Sequence, residues 1–209
     1  MIDDYLIRAG LAKSRGPSTE FIARAQKGFD SITEPYGDYI QEVWNSAKRL
    51  GIASGPQSGP LFEMLIASVF ISAGFLPFYQ KAELKFAGKI ESDFLFWDER
   101  TESPVCIELT STLRERYKLA DLQAFKVKAN YPKAKFFQLT MDYKDVSRRS
   151  PEDFESLDGL IFPGSGDIDK VLSSVATLSL VGRAPLRENK NTSLHFLSKD
   201  GSVASEMIF

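Results

Sequence analysis

Glu63, Asp93 and Glu108 are the residues of this sequence whose surroundings call for chemistry. Glu63 is the only charged residue between Leu61 and Ala73, in an otherwise apolar, helix-forming run. A lone carboxylate there is expensive to bury without a partner. Asp93 lies in Lys-Ile-Glu-Ser-Asp93-Phe-Leu-Phe and Glu108 in Pro-Val-Cys-Ile-Glu108-Leu-Thr110, both strand-like. Alternation puts Cys106, Glu108 and Thr110 on one face, opposite Val105, Ile107 and Leu109. In the preceding strand it puts Glu91 and Asp93 opposite Ile90, Phe94 and Phe96. If these strands are neighbours, the two acids meet on one side of a sheet. Carboxylates held that close repel, and one takes a proton unless a cation intervenes. Oxygen donors of this kind suit Mg2+, which keeps several waters and takes one or two carboxylates plus substrate phosphate. Such an ion activates a water for in-line attack on phosphorus and stabilises the leaving oxygen. Singly, each acid reads as an exposed strand residue paired with Lys85 or Lys89. The combination with Glu63 turns the reading toward a phosphodiester-hydrolysing centre.

The elements that must position these acids follow from period and punctuation. Phe21, Ile22, Ala25 and Phe29 share a helical face, and Thr33-Glu-Pro35 opens a helix running to Leu50. Gly51 to Gly59 reads as a linker or exposed loop. Ser58-Gly-Pro60 then starts the helix that carries Glu63 and ends near Gly74. Three short strands follow, Ala82 to Phe86, Ile90 to Trp97 and Val105 to Thr110. A helix from Leu113 to Asn130 stops before Tyr131-Pro132. Strands are expected at Ala134 to Met141 and Gly159 to Phe162, a helix at Ile168 to Val175, and edge strands at Leu194 to Leu197 and Val203 to Phe209. This order predicts an α/β fold with a mixed central sheet flanked by helices on both faces. Residues 1–54 are expected as a helical N-terminal extension packed on the core, and residues 55–209 as the domain that carries the acids.

Bulk properties narrow the class. The 209 residues are 43% hydrophobic and 26% charged, the balance of a globular domain. The longest apolar run, Leu61 to Phe78, is interrupted by Glu63, Gly74 and Pro77, so no membrane span is expected. The start Met-Ile-Asp-Asp-Tyr lacks the basic and apolar regions of a signal peptide. A single cysteine, Cys106, excludes an internal disulfide and a Cys-cluster zinc site, and a cytoplasmic protein is expected. Net charge is −2, but residues 111–149 hold ten Lys/Arg against four acids, a local excess of six that leaves −8 elsewhere. A basic zone beside an acidic cluster fits an enzyme that holds phosphates and collects metal ions. Taken alone, the same zone is equally an ordinary solvated helix face.

Glu63 in a helix, then Ser92-Asp93-Phe-Leu-Phe, then Glu108-Leu-Thr110, resembles the PD-(D/E)XK nuclease superfamily. The run Thr110-Ser-Thr-Leu-Arg-Glu-Arg-Tyr-Lys118 is similar to the segment by which several type II restriction endonucleases leave the catalytic strand. The resemblance covers about Gly59 to Val175. It implies a Mg2+-dependent endodeoxyribonuclease of restriction type acting on double-stranded DNA, with Asp93 and Glu108 as metal ligands, Glu63 as a further ligand or a catalytic residue supporting them from behind, and Thr110 in the catalytic lysine position. It also implies DNA contacts from Ser111, Thr112, Arg114, Arg116 and Lys118, and a homodimer, because cutting both strands needs two sites. Two departures stand out. Ser92 replaces the usual proline, and Thr110 stands where a lysine is expected. A hydroxyl carries no positive charge, so Lys89, on the Asp93 face, is the expected substitute. The Thr110 departure favours a second class of answer, a degenerate nuclease fold that grips DNA or a protein without cutting. Cleavage of structured DNA in repair is a third.

Other signals carry less. His195 is the only histidine, which excludes a His-dependent nuclease, and it is expected on a C-terminal strand as a structural or exposed residue. Gly164-Ser-Gly166 lacks the Lys-Ser/Thr ending of a P-loop and reads as a turn. Cys106 reads as packing.

Overall fold

The computed structural model describes residues 5–209; Met1 to Asp4, most of the start read above for a signal peptide, lie outside the described residues. Three helices come first, α1 (Tyr5–Arg8), α2 (Pro17–Gln26) and α3 (Tyr36–Arg49), followed by α4 (Ser58–Ser72). The meander is β1 (Phe78–Glu83), β2 (Glu91–Asp98) and β3 (Ser103–Thr110). Then come α5 (Arg116–Asn130), β4 (Lys135–Thr140), α6 (Tyr143–Val146), β5 (Gly159–Ile161) and α7 (Ile168–Ala176). The chain closes with β6 (Ser193–Leu197) and β7 (Val203–Met207).

The seven strands form one sheet in the order β5-β4-β3-β2-β1-β6-β7. Pairing is parallel for β3–β4 and β4–β5 and antiparallel elsewhere. The sheet is therefore mixed, with helices on both faces. α4 is buried almost all round, from Leu61 and Phe62 through Ile71, as an apolar helix must be. Its Phe70 ring meets Phe78, Phe94 and Phe96 at 5.1–6.2 Å in edge-on contacts, the geometry aromatic quadrupoles prefer. Residues of α1, α2, α3 and α7 bury into this same cluster. The other sheet face, with Tyr79, Leu95, Trp97, Cys106 and Phe136, is covered by Ala120, Ala124 and Val127 of α5 and by Leu186. Among the described residues no helix is long and apolar enough to cross a membrane.

Several boundaries differ from the sequence expectation for physical reasons. The first strand begins at Phe78, directly after Pro77, and not at Ala82; proline has no N–H for a ladder but fits just ahead of a strand. Phe86 is 68% exposed. α5 starts at Arg116 and not at Leu113. Leu113 and Arg114 give their backbone N–H groups to Asp142 and Asp145 at 3.4 and 3.2 Å, and Arg114 has φ 43°. β6 is interior, paired with both β1 and β7; of these two strands β7 is the one at an edge, with β5 at the other.

Candidate active site

The acids named from the sequence gather at the end of the sheet where the parallel strands β3 and β4 terminate, the end at which open α/β sheets hold ligands. Ser58, the first residue of α4, touches Ser111 just beyond β3, Oγ to Oγ at 3.2 Å. That contact brings the start of α4, and Glu63 in its second turn, to the same end.

The side chain that joins two of the acids is Lys81. Its Nζ donates to Glu63 Oε1 at 2.8 Å and also to Asp93 Oδ1. Burial works against the charge of Lys81, but Asp93 and Glu63 outweigh it and hold its pKa above the ordinary lysine value. Glu63 thus has the partner its apolar helix required. Its other oxygen, Oε2, accepts from Gln80 Nε2 at 3.2 Å.

A local break in the strand makes this arrangement possible. Lys81 has φ 55°, in the left-handed region, which costs a non-glycine residue roughly 1–2 kcal/mol. Strict alternation would put Tyr79 and Ala82 on opposite faces, yet both belong to the α5-side cluster. The phase slips by one at Lys81, so Gln80 and Lys81, neighbours in sequence, both reach Glu63. A second break lies opposite. β2–β3 pairing runs from Phe94↔Ile107 onward and leaves Asp93 unpaired. The Leu109 N–H instead donates to Asp93 Oδ2 at 2.6 Å, and this fixes the carboxylate at the fork between the two strands.

Glu108 completes the group in a different way. Its Oε1 is buried without a hydrogen-bond partner among the described residues. Burial first, then the Asp93 charge, push its pKa well above the carboxylate range; Lys81 pulls the other way, and Glu91 and Glu63 add to the rise. An orphaned buried carboxyl oxygen beside a fixed aspartate is a place for a cation. Among the described residues no cluster of three or more His, Cys, Asp or Glu can hold a metal unaided. The donor set, two carboxylates with neither cysteine nor histidine, fits Mg2+, which leaves its remaining positions to water and phosphate.

Behind the acids a polar chain runs inward. His195, fully buried on β6, stacks on Phe78 with ring centroids 4.8 Å apart. Its Nε2 lies 3.1 Å from Gln80 Oε1, and its Nδ1 lies 3.0 Å from the Ala9 carbonyl. Burial lowers its pKa to about 4, against a smaller raising effect of the Ala9 carbonyl, so the ring is neutral and its single N–H serves one of these two oxygens at a time. Gln80 itself is tied to Glu63 through its Nε2 donor, which leaves Oε1 facing the ring.

The loop after β3 holds the remaining residues named in advance. Thr110 is buried, and its hydroxyl donates to the Thr112 carbonyl at 2.6 Å and accepts from Arg116 Nη1 at 3.2 Å. It organises the loop. Thr112, Arg114, Arg116 and Lys118 are exposed, and Ser111 is half-buried. Lys89 is exposed and takes no part in the acid cluster; the lysine that pairs with the acids is Lys81. Gln80 and Lys81 were missed because a slipped strand phase cannot be read from spacing; His195 is on a C-terminal strand as expected, and buried. The one visible signal was two adjacent polar residues inside the run Phe78-Tyr-Gln-Lys-Ala82. An open cleft of about 530 Å3 borders the group, with Glu63, Lys81, Gln80, Met64 and Lys13 among its lining.

No family model and no curated protein matches this chain. Among solved structures it is similar to the restriction endonuclease PspGI in a complex with substrate DNA. The two are 14% identical over 77% of this chain and 79% of that one, with a TM-score of 0.35. That degree of superposition transfers no residue roles.

Proposed function

We propose that this protein is a Mg2+-dependent endodeoxyribonuclease that hydrolyses phosphodiester bonds of double-stranded DNA. The observation that carries the reading is the meeting of Glu63, Asp93 and Lys81 beside the orphaned Glu108 carboxyl, at the open end of the sheet. Asp93 and Glu108 are the residues that would hold Mg2+, which when bound supplies an activated water and neutralises charge building on the phosphate. Lys81 brings from β1 the positive charge that Thr110 cannot, poised for the phosphate oxygens. Glu63 orients Lys81, and Gln80 orients Glu63. Arg116, fixed by Thr110, and its neighbours Ser111, Thr112, Arg114 and Lys118 border the group and contact the DNA backbone. A homodimer would place two such groups on opposite strands.

The test is incubation of the purified protein with long duplex DNA and Mg2+, beside Asp93→Ala and Glu108→Ala. Discrete fragments that disappear in both variants and on chelation support a sequence-specific, restriction-type enzyme. Cleavage confined to flap or hairpin substrates moves the protein to repair. A second reading, a fold that grips DNA without cutting it, is favoured by the engagement of the Thr110 hydroxyl within its own loop. Intact DNA with a retained gel shift would establish it.

A further inference from the structure

We propose that the N-terminal segment, residues 10–19, is the second wall of the substrate cleft, and that Lys13 binds a backbone phosphate of the DNA strand lying in it. This rests on the nuclease reading above and assigns to the segment a role in holding substrate.

Three observations carry it. The first is continuity. The cleft whose lining includes Glu63 and Lys81 has residues 10–14, Ser18 and Thr19 as its other side. A strand whose scissile phosphate lies at the acids continues in two directions, one toward the Ser111–Arg116 loop and one into this cleft. Its volume of about 530 Å3 falls in the roughly 300–1,000 Å3 range of ligand pockets.

The second is chemistry. Two cations line the cleft, Lys13 and Lys81. Lys81 is engaged by Glu63 and Asp93. Lys13 is exposed and has no carboxylate or hydrogen-bond partner among the described residues. A compact ammonium on a flexible stem meets phosphate as a point charge. Leu11, Pro60 and Met64 add apolar lining that suits sugar and base, and Asn191 and Ser193 add polar lining.

The third is register. The segment is seated against the sheet to a close tolerance. Gly10 has φ 71°, and a Cβ on it would come within 1.8 Å of Ser205 Oγ on β7, so only glycine permits this approach. One residue earlier, the Ala9 carbonyl lies 3.0 Å from His195 Nδ1 on β6, a second tie of the segment to the sheet. The wall that carries Lys13 is thereby fixed against the same sheet that carries Lys81.

The experiment measures binding apart from cutting. Asp93→Asn protein without metal is titrated with a short fluorescein-labelled duplex and with the corresponding single strand, over a series of salt concentrations. Adding Lys13→Glu should weaken binding roughly tenfold and reduce the slope of log K against log salt by about one. Lys13→Arg should restore both. Lys133→Glu, the same charge change at the far end of the sheet, should change neither. In addition, Lys13→Cys should exchange with an oligonucleotide that bears an activated disulfide tether on the phosphate next to the scissile one, forming a protein–DNA disulfide and releasing the tether's leaving thiol. Affinity and slope unchanged by Lys13→Glu, or an equal loss from Lys133→Glu, would overturn this wall while leaving the nuclease reading intact. Absence of DNA binding by every variant would overturn both.

Discussion

A lysine in left-handed backbone inside a strand is a costly choice, and at position 81 the cost is offset by what its ammonium touches. Two carboxylates converge on it, with side-chain exposures of 27% for Lys81, 23% for Glu63 and 13% for Asp93. Lys81→Met keeps the backbone problem and removes the compensation, so Glu63 and Asp93 face each other with only Gln80 and the Leu109 N–H as donors. The expected loss is about 2 kcal/mol, the scale of a hydrogen bond to a charged group, read as a lower urea midpoint. Single-turnover cleavage should fall by about 10²-fold. A variant that kept both would remove Lys81 from the centre. Glu108 makes the opposite kind of statement. Burial and its acidic neighbours raise its pKa, so the folded chain holds this proton to higher pH than the unfolded chain does. Stability is then lost as pH rises from the ordinary carboxylate range through the raised value. Metal-free Glu108→Gln should match the wild type in Tm near about pH 4 and exceed it at about pH 8. Mg2+ should close that gap by stabilising the wild type alone. A difference that did not vary with pH would show that the carboxyl is not the responsible group.

Elements were legible in the sequence wherever one pattern governed them. α4 announced itself by an apolar run longer than a strand, and β2 and β3 by bounded β-branched and aromatic runs. The placement of Glu63, Asp93 and Glu108 on those three elements followed directly. Legibility failed where a tertiary partner overrode local preference. Leu113 to Glu115 has helical composition, yet the carboxylates of Asp142 and Asp145 take the backbone N–H groups of Leu113 and Arg114, and the helix waits until Arg116. Those two acids lie about thirty residues further on, beyond the reach of any local rule. β1 failed likewise, because the slip at Lys81 depends on carboxylates that come from α4 and β2. The loop start can be tested directly. Asp142→Ala with Asp145→Ala should cost about 1 kcal/mol, as lost helix caps do, and should let α5 grow toward Leu113. Hydrogen exchange reads this as altered protection confined to residues 111–117. Arg116 would then leave Thr110, and DNA affinity should fall with it. Unaltered exchange there would mean that the loop is held by something other than these acids.

At the scale of the molecule, the excess of six positive charges in residues 111–149 does not form one patch. α5 has 15 residues, so its ends lie roughly 22 Å apart, more than two Debye lengths at physiological salt. Arg114, Arg116 and Lys118 sit where β3 ends, beside the acids. Lys144, Arg148 and Arg149 join them from the segment after β4, with Arg149 over the Tyr117 ring at 4.4 Å. Lys133 and Lys135 enter β4 at the opposite end of the sheet, and Lys128 is taken by Asp158 at 2.8 Å. The sequence excess therefore divides into a half that borders the acids and a half that serves as ordinary surface. Chain order alone could not draw that division, since one helix length separates the halves. Reversing Arg116 and Lys118 to Glu should weaken binding to duplex DNA at low salt and lower the salt slope by about two, one for each phosphate contact. Reversing Lys133 and Lys135 makes the same change in net charge. If only the net field mattered, both pairs would weaken binding alike; with contact at the acid end, the second pair leaves affinity and slope where they were. The comparison thus tests whether DNA meets the molecule at the end where Glu63, Asp93 and Glu108 converge, independently of whether it is cut there.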